Sequence, residues 1–202
     1  MSERKATLER KSKETQIIAE LNIDGKGETK INTPIKLLDH MLELFAFHGF
    51  FDLTLDVKGD TEIDIHHTNE DIGIVLGKVF KKALDEKQGI KRFGSGDSPM
   101  EATLGSTVVD ISGRGYLTLS LEGKVPKIED QEDYAMKYLN HFMESFAHNL
   151  GATINITIKN PDEDLHTNIE TVFKSLGQAL DQATQVDQRR AGEVPSTKGI
   201  ID

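Results

Sequence analysis

Cysteine is absent from the 202-residue chain, which excludes disulfides, zinc–thiolate centres and thiol catalysis. Positive charge is in deficit: 24 Lys and Arg stand against 34 Asp and Glu, a net charge of −10. Binding a phosphate backbone needs clustered cations, so nucleic acid is not an expected partner. Long apolar runs are missing too. None approaches the roughly 18 residues that cross a membrane, and Met1 to Arg10 is charged rather than leader-like. No membrane partner is expected, and the expected location is cytoplasmic. The 37% of apolar residues suffices for a core in one large domain or two small ones.

The chain repeats itself. Leu38-Asp39-His40-Met41-Leu42-Glu43-Leu44-Phe45-Ala46 returns as Leu139-Asn140-His141-Phe142-Met143-Glu144-Ser145-Phe146-Ala147, at an offset of 101. Leu53, Leu55 and Val57 follow as Ile154, Ile156 and Ile158. One residue is then lost, and His66, Glu70, Leu76, Gly77 and Ala83 match His166, Glu170, Leu176, Gly177 and Ala183 at an offset of 100. The expected units are residues 1–90, residues 91–190 and a tail over residues 191–202 that contributes to the site.

Each unit reads as strands, helix, strand, helix. The strands are Thr15–Ile23, Lys30–Asn32 and Phe51–Lys58 in one unit, and Ser106–Ile111, Tyr116–Glu122 and Ala152–Lys159 in the other. Helical spacing predicts helices over Pro34–His48 and about Thr68–Asp85, then over Asp130–Leu150 and about Asn168–Thr184. Pro34 suits a first helical position, where its missing N–H costs nothing. The fold class is α+β: duplicated half-domains, each a small sheet covered by two helices, which bury their helices against each other.

The histidines follow the repeat. His40 pairs with His141, and His66 with His166. In His66-His67-Thr68-Asn69-Glu70, His66 and Glu70 are four apart and share one face of a helix. Such a pair can chelate a cation. The second motif, His166-Thr167-Asn168-Ile169-Glu170, keeps the i, i+4 pair but has threonine in place of the second histidine. His67, rotated by about 100°, faces elsewhere, toward a second cation. Imidazole and carboxylate without thiolate suit manganese, iron, nickel or zinc. His48 and His148 break the offset and read as ordinary surface residues. Three polar segments could form a phosphate pocket: Lys91-Arg92-Phe93-Gly94, Ser112-Gly113-Arg114-Gly115 and Pro195-Ser196-Thr197-Lys198-Gly199.

These landmarks, together with Arg10-Lys11-Ser12-Lys13-Glu14-Thr15, Asp110-Ile111-Ser112-Gly113-Arg114 and Glu170-Thr171-Val172-Phe173-Lys174, make the chain resemble the imidazoleglycerol-phosphate dehydratase family almost end to end. The resemblance implies a duplicated fold like domain 2 of ribosomal protein S5, and a closed homo-oligomeric cage of about 24 subunits. It implies metal-dependent dehydration of imidazole glycerol phosphate to imidazole acetol phosphate in histidine biosynthesis. Two manganese ions per site are implied between subunits, with ligands His40, His66, His67, Glu70, His141, His166 and Glu170. Implied substrate contacts are Glu14, Arg92, Arg114, Ser196 and Lys198, with Glu14 as the catalytic proton carrier.

The chain departs from the family pattern near that site. Thr167 replaces the second histidine of the second motif. Ile65 precedes His66 where Asp is usual, and Leu165 precedes His166. Leu44 stands for Gln, Met100-Glu101-Ala102 for Met-Asp-Glu, and Gly115 for Pro. Loss of carboxylates that orient ligand imidazoles loosens a metal. Two readings stand: a dehydratase impaired by Thr167, Ile65, Leu44 and Ala102, and a divergent or redesigned non-catalytic homologue that keeps fold, assembly and partial metal binding.

Overall fold

A computed structural model describes residues 4–62, 64–190 and 192–201. In the first half, β1 (Lys5–Lys11), β2 (Thr15–Asn22), β3 (Thr29–Asn32) and β4 (Asp52–Gly59) form a sheet in the order β1-β2-β4-β3. Helix α1 (Lys36–Gly49) joins β3 to β4, and α2 (His66–Leu84) follows β4. The second half repeats this with β5 (Phe93–Met100), β6 (Thr103–Asp110), β7 (Tyr116–Glu122) and β8 (Thr153–Lys159), ordered β5-β6-β8-β7, and with α3 (Met136–Leu150) and α4 (Leu165–Thr184). In each sheet the one parallel pair, β3–β4 or β7–β8, is bridged by a helix, the crossover that parallel neighbours require.

Alternation gives each sheet one apolar face. Ile17, Ala19 and Leu21 lie opposite Val57, Leu55 and Leu53, and Val109 lies opposite Ile154; all are buried. The helices cover these faces and meet between them, α2 on α3 and α1 on α4. The layers therefore run sheet, helices, sheet. Phe80 sits at the centre, edge-on to Phe45, Phe51 and Phe146 at centroid separations of 5.8, 5.0 and 5.7 Å.

Two repeated glycines set how closely the halves approach. A Cβ on Gly77 of α2 would stand 2.6 Å from the Phe146 carbonyl oxygen of α3, and one on Gly177 of α4 would stand 2.5 Å from the Phe45 carbonyl oxygen of α1. Phe45 and Phe146 are themselves repeat partners. The same contact is thus made twice, each time across the halves.

Several boundaries differ from the sequence expectation. β1 and β5 have no counterpart in it. β1 carries four charges in seven residues, Lys5, Glu9, Arg10 and Lys11, and β5 contains Gly94, Gly96 and Pro99 with no β-branched residue. The β5 glycines are there because the α4 backbone passes over them: a Cβ on Gly94 would lie 1.9 Å from the Ala179 carbonyl oxygen. Pro34 lies outside α1, which begins at Lys36. There Thr33 Oγ1 accepts the Ile35 N–H at 3.0 Å, and Asp39 accepts the Thr33 N–H at 3.0 Å, a local turn that competes with an earlier helical start. Helix α3 begins at Met136, not Asp130, because Glu132 and Asp133 take positive φ in a Gln131–Tyr134 turn. Conversely α2 and α4 start earlier than expected, so His66 and His166 fall in their first turns. Gly115 is also accounted for: a Cβ there would lie 2.3 Å from the His148 Cα of α3, so this backbone cannot take the proline usual in the family. Among the described residues no helix is long and apolar enough to cross a membrane.

The glycine contacts are testable. Gly77→Ala and Gly177→Ala should each lower the unfolding free energy by about 1–3 kcal/mol through overpacking, despite roughly 1 kcal/mol of improved helix propensity. Urea denaturation measures this; a gain in stability would show that the helix backbones are free to separate.

Candidate functional site

The helix packing brings each repeated histidine of one half to the His/Glu pair of the other. His40 on α1 meets His166 and Glu170 on α4. Glu170 Oε2 lies 3.0 Å from His166 Nε2 and 3.7 Å from His40 Nε2, and ligand atoms of all three residues lie within 4.8 Å of one another. On the opposite pair of helices, His66 Nε2 lies 3.3 Å from Glu70 Oε2, and the His141 ring of α3 packs on His66 at 4.5 Å between centroids. This second cluster is looser, since His141 forms no ion pair with Glu70 among the described residues. His141 Nδ1 is buried without a hydrogen-bond partner.

The donor set fits a borderline divalent cation: imidazole nitrogens and carboxylate oxygens converge, and a buried ring nitrogen lacks a partner. The carboxylates differ in setting. Glu170 is buried and Glu70 half-exposed. Glu170 Oε1 accepts a hydrogen bond from Lys174 Nζ, leaving Oε2 to the imidazoles. Burial pushes the Glu170 carboxyl up, but Lys174 and then His166 outweigh it and hold it below the ordinary glutamate value. His48 stands outside both clusters; burial, then Lys174, lowers its pKa. His148 is exposed and joins neither.

His67 points away from Glu70, as a neighbouring helix position must. Its Nδ1 lies 3.8 Å from Glu14 Oε2, both side chains being exposed. Glu14 ends the β1–β2 turn, which is tied to α2 through Asp71: its Oδ2 accepts from Thr15 Oγ1 at 2.6 Å and from Arg10 Nη1 at 2.5 Å. Thr167, at the place equivalent to His67, is buried and committed to capping. Its hydroxyl and N–H donate to Asp164 Oδ2 at 2.9 and 3.3 Å.

The departures at Ile65 and Leu165 look different in three dimensions. Ile65 packs against the core and Leu165 is inside it. The carboxylates one residue earlier, Asp64 and Asp164, hold the helix starts. Asp64 Oδ1 accepts the His66 N–H and the Tyr138 hydroxyl, each at 2.9 Å. Asp164 accepts from Gln131 as well, and Gln131 Oε1 in turn accepts the His166 N–H at 3.1 Å. These groups act on the backbone of His66 and His166 rather than on their rings. Leu44 packs against the core, and Ala102 lies exposed in the β5–β6 turn.

Arg92 and the C-terminal tail meet elsewhere. Arg92 forms a bidentate pair with Asp110, at 2.6 and 3.0 Å, and donates to the Pro195 carbonyl at 3.0 Å. This last bond ties the tail carrying Ser196 and Lys198 to the base of β5. Ser196 Oγ accepts the Lys198 N–H at 3.2 Å; Lys198 and Arg114 are exposed. No hydrogen bond, ion pair or ring contact among the described residues links Arg92, Arg114, Ser196 or Lys198 to either histidine cluster. The Arg92 N–H donates to the Ala183 carbonyl near the end of α4, and at about 1.5 Å per residue that point is roughly 20 Å along the helix from Glu170.

Sequence reasoning gave no role to Lys174, Asp64, Asp164, Gln131 or Tyr138. Lys174 continues the i, i+4 series of His166 and Glu170, a signal that was available; the contact of Tyr138 with Asp64 depends on the packing of the halves, and those of Gln131 on the tertiary fold of the second half.

Asp164 gives a pH test. Burial pushes its carboxyl up, but Gln131, Thr167 and backbone N–H groups together hold it below the ordinary aspartate value. Its stabilisation is therefore complete above about pH 4 and lost as the pH falls through the lowered value. Asp164→Ala should cost about 0.5–2 kcal/mol at pH 7, and the gap to wild type in chemical denaturation should close on acidification. A gap that widens toward low pH contradicts the capping role.

Comparison with known proteins places this geometry. The family model for imidazoleglycerol-phosphate dehydratase matches residues 33–180. An imidazoleglycerol-phosphate dehydratase from Pelobacter propionicus is 50% identical over 98% of this chain and 99% of its own length. One from Methanocella arvoryzae is 46% identical over 98% of this chain and 100% of its own length. The crystal structure of the Pyrococcus furiosus enzyme in complex with (S)-C348 superposes with a TM-score of 0.80 at 36% identity, covering 96% of this chain and 99% of that one. The Staphylococcus aureus enzyme gives 0.76 at 31% identity, covering 91% and 99%. The repeated fold, the paired histidine clusters and the near full-length similarity lead to one conclusion: the chain belongs to the imidazoleglycerol-phosphate dehydratase family, hydro-lyases of histidine biosynthesis.

Proposed function

We propose that this enzyme dehydrates imidazole glycerol phosphate to imidazole acetol phosphate using divalent metal, manganese in the first instance, held at the two histidine clusters. The observation that carries the metal reading is the twofold recurrence of a His/Glu pair facing a histidine from the other half. His40, His166 and Glu170 would hold one ion, and His66, Glu70 and His141 another, with His67 supplying a further imidazole. When bound, the metal supplies a Lewis acid at the substrate's imidazole ring.

The chain's own residues then divide the remaining work. Glu14, held by the Asp71 anchor and exposed beside His67, carries the proton removed from the carbon next to the ring. Arg92, Arg114, Ser196 and Lys198 bind the phosphate; Asp110 fixes the Arg92 fork in one orientation. The separation of roughly 20 Å along α4 exceeds the reach of so small a substrate. One copy's Glu170 cluster therefore works with another copy's Arg92, which supports a homo-oligomer, with the family's 24-subunit cage as the model and the cytoplasm as its place. Thr167 gives its hydroxyl to Asp164 and leaves one ligand position to water, so turnover is lower than a histidine there would allow. The non-catalytic alternative finds no specific support beyond Thr167.

Activity on imidazole glycerol phosphate should vanish on chelation and return with manganese, and Thr167→His should turn over faster at matched manganese. Full turnover in the chelated protein contradicts the metal reading, and a parent as fast as Thr167→His contradicts the role given to Thr167. Sharing between copies has its own test. His166→Ala and Arg92→Ala should each be inactive, but co-expressed they should recover about a quarter of the activity, the share of sites drawing both intact sets in a random symmetric assembly. No recovery places a complete site within one chain.

A further inference from the structure

We infer that the cleft beyond the C-terminal end of α2 binds a phosphate-class anion, inorganic phosphate or a small phosphate monoester, with Lys87 as its principal contact.

The cleft measures about 520 Å³, a size that suits a small ligand. At about 1.5 Å per residue it lies roughly 27 Å along α2 from His66. Arg4, Lys5, Lys82 and Lys87 line it, against two acids, Asp85 and Glu86, on a chain whose net charge is −10. Among the described residues its wall includes none of Arg92, Arg114, Ser196 and Lys198.

Two of these cations have other work. The Arg4 guanidinium closes on Asp24 and the Thr184 carbonyl, and Lys82 Nζ donates to the Thr7 carbonyl at 3.0 Å. Lys87 is only 8% exposed, yet among the described residues its ammonium makes no hydrogen bond or ion pair. Burial, then Lys81, pushes that ammonium below the ordinary lysine value, and Glu86 only partly offsets them. The backbone adds a cost, because φ at Lys87 is 57°, a left-handed conformation that favours glycine. The negative end of α2 does not account for this lysine, since Lys81 and Lys82 already stand in the last turn. A buried cation without a partner, at a position costly for any side chain, calls for a counter-ion from outside. The Arg4 fork is taken, so planar, bidentate capture of a carboxylate is not on offer. Ammonium groups act as point charges and suit phosphate, whose two negative charges match the excess of cations over acids in the wall.

The test is titration of full-length protein with inorganic phosphate by calorimetry. Wild type should show a binding class that Lys87→Met weakens about tenfold or more. Lys87→Gly, which suits the positive φ and guards against misfolding of the first variant, should lose it likewise, and Lys87→Arg should keep it. Arg92→Ala should leave this class intact, which separates it from the substrate phosphate assigned above. Acetate should bind the class about tenfold more weakly than phosphate; equal binding overturns the choice of phosphate chemistry. Glycerol 2-phosphate distinguishes the sources: tighter binding than inorganic phosphate assigns the cleft to a monoester, weaker binding to the free ion, and either supports the site. Phosphate binding that survives unchanged in folded Lys87→Met or Lys87→Gly overturns the proposal, as does the absence of any Lys87-dependent class at millimolar phosphate. A Lys87→Met protein less stable than wild type in phosphate-free urea denaturation also overturns it, because the ammonium is then satisfied within the chain.

Discussion

Backbone contact at two glycines governs the rest of this molecule. Gly77 lies against the Phe146 carbonyl and Gly177 against the Phe45 carbonyl, with no space for a methyl group at either place. Helices this close cannot slide past one another without opening voids around the phenylalanines that surround Phe80. The crossing fixes which turn of α1 faces which turn of α4, and likewise for α2 and α3. Every distance in the two histidine clusters follows from that register.

The same packing explains why duplication and chemistry are inseparable here. Neither half holds a complete cluster. Each contributes a helix with a His/Glu pair in its first turns and a helix with one further histidine, and the pairs are completed only across the helix layer. The helix starts are themselves cross-linked. Tyr138 of α3 reaches Asp64 ahead of α2, and Gln131 ahead of α3 reaches Asp164 ahead of α4. The backbone that carries His66 and His166 is thereby held in place at both helix starts.

Much of this was legible in the sequence. The constant offset exposed the repeat, alternation exposed β2, β4 and β8, and the i, i+4 spacing put His66 with Glu70 and His166 with Glu170 on common faces. Other features lacked a local signal. β1 and β5 hide because one is dense in charge and the other is glycine-rich to let α4 pass. The early starts of α2 and α4 depend on Asp64 and Asp164, whose capping geometry shows only once the chain is folded. The partnering of His40 with the second half and of His141 with the first depends on tertiary packing, on which periodicity is silent. So does the long separation of Arg92 from Glu170: Glu170 lies early in α4, whereas Arg92 meets that helix at Ala183, near its end. Thr167 could be read as a missing ligand, but its part in closing the start of α4 could not.

The two halves are joined by a short segment between the end of α2 and Arg92. Seen as separate pieces, they are the subunits of a pseudo-symmetric dimer whose interface is the whole helix layer. The segment turns their encounter from a concentration-dependent event into an intramolecular one, with the high effective concentration of a short tether. It also frees the two copies from identity. In a true dimer a lysine beside one carboxylate would stand beside both. In a fused pair, Lys174 and Ile74 can differ, and one scaffold can carry two histidine–carboxylate clusters of unequal character.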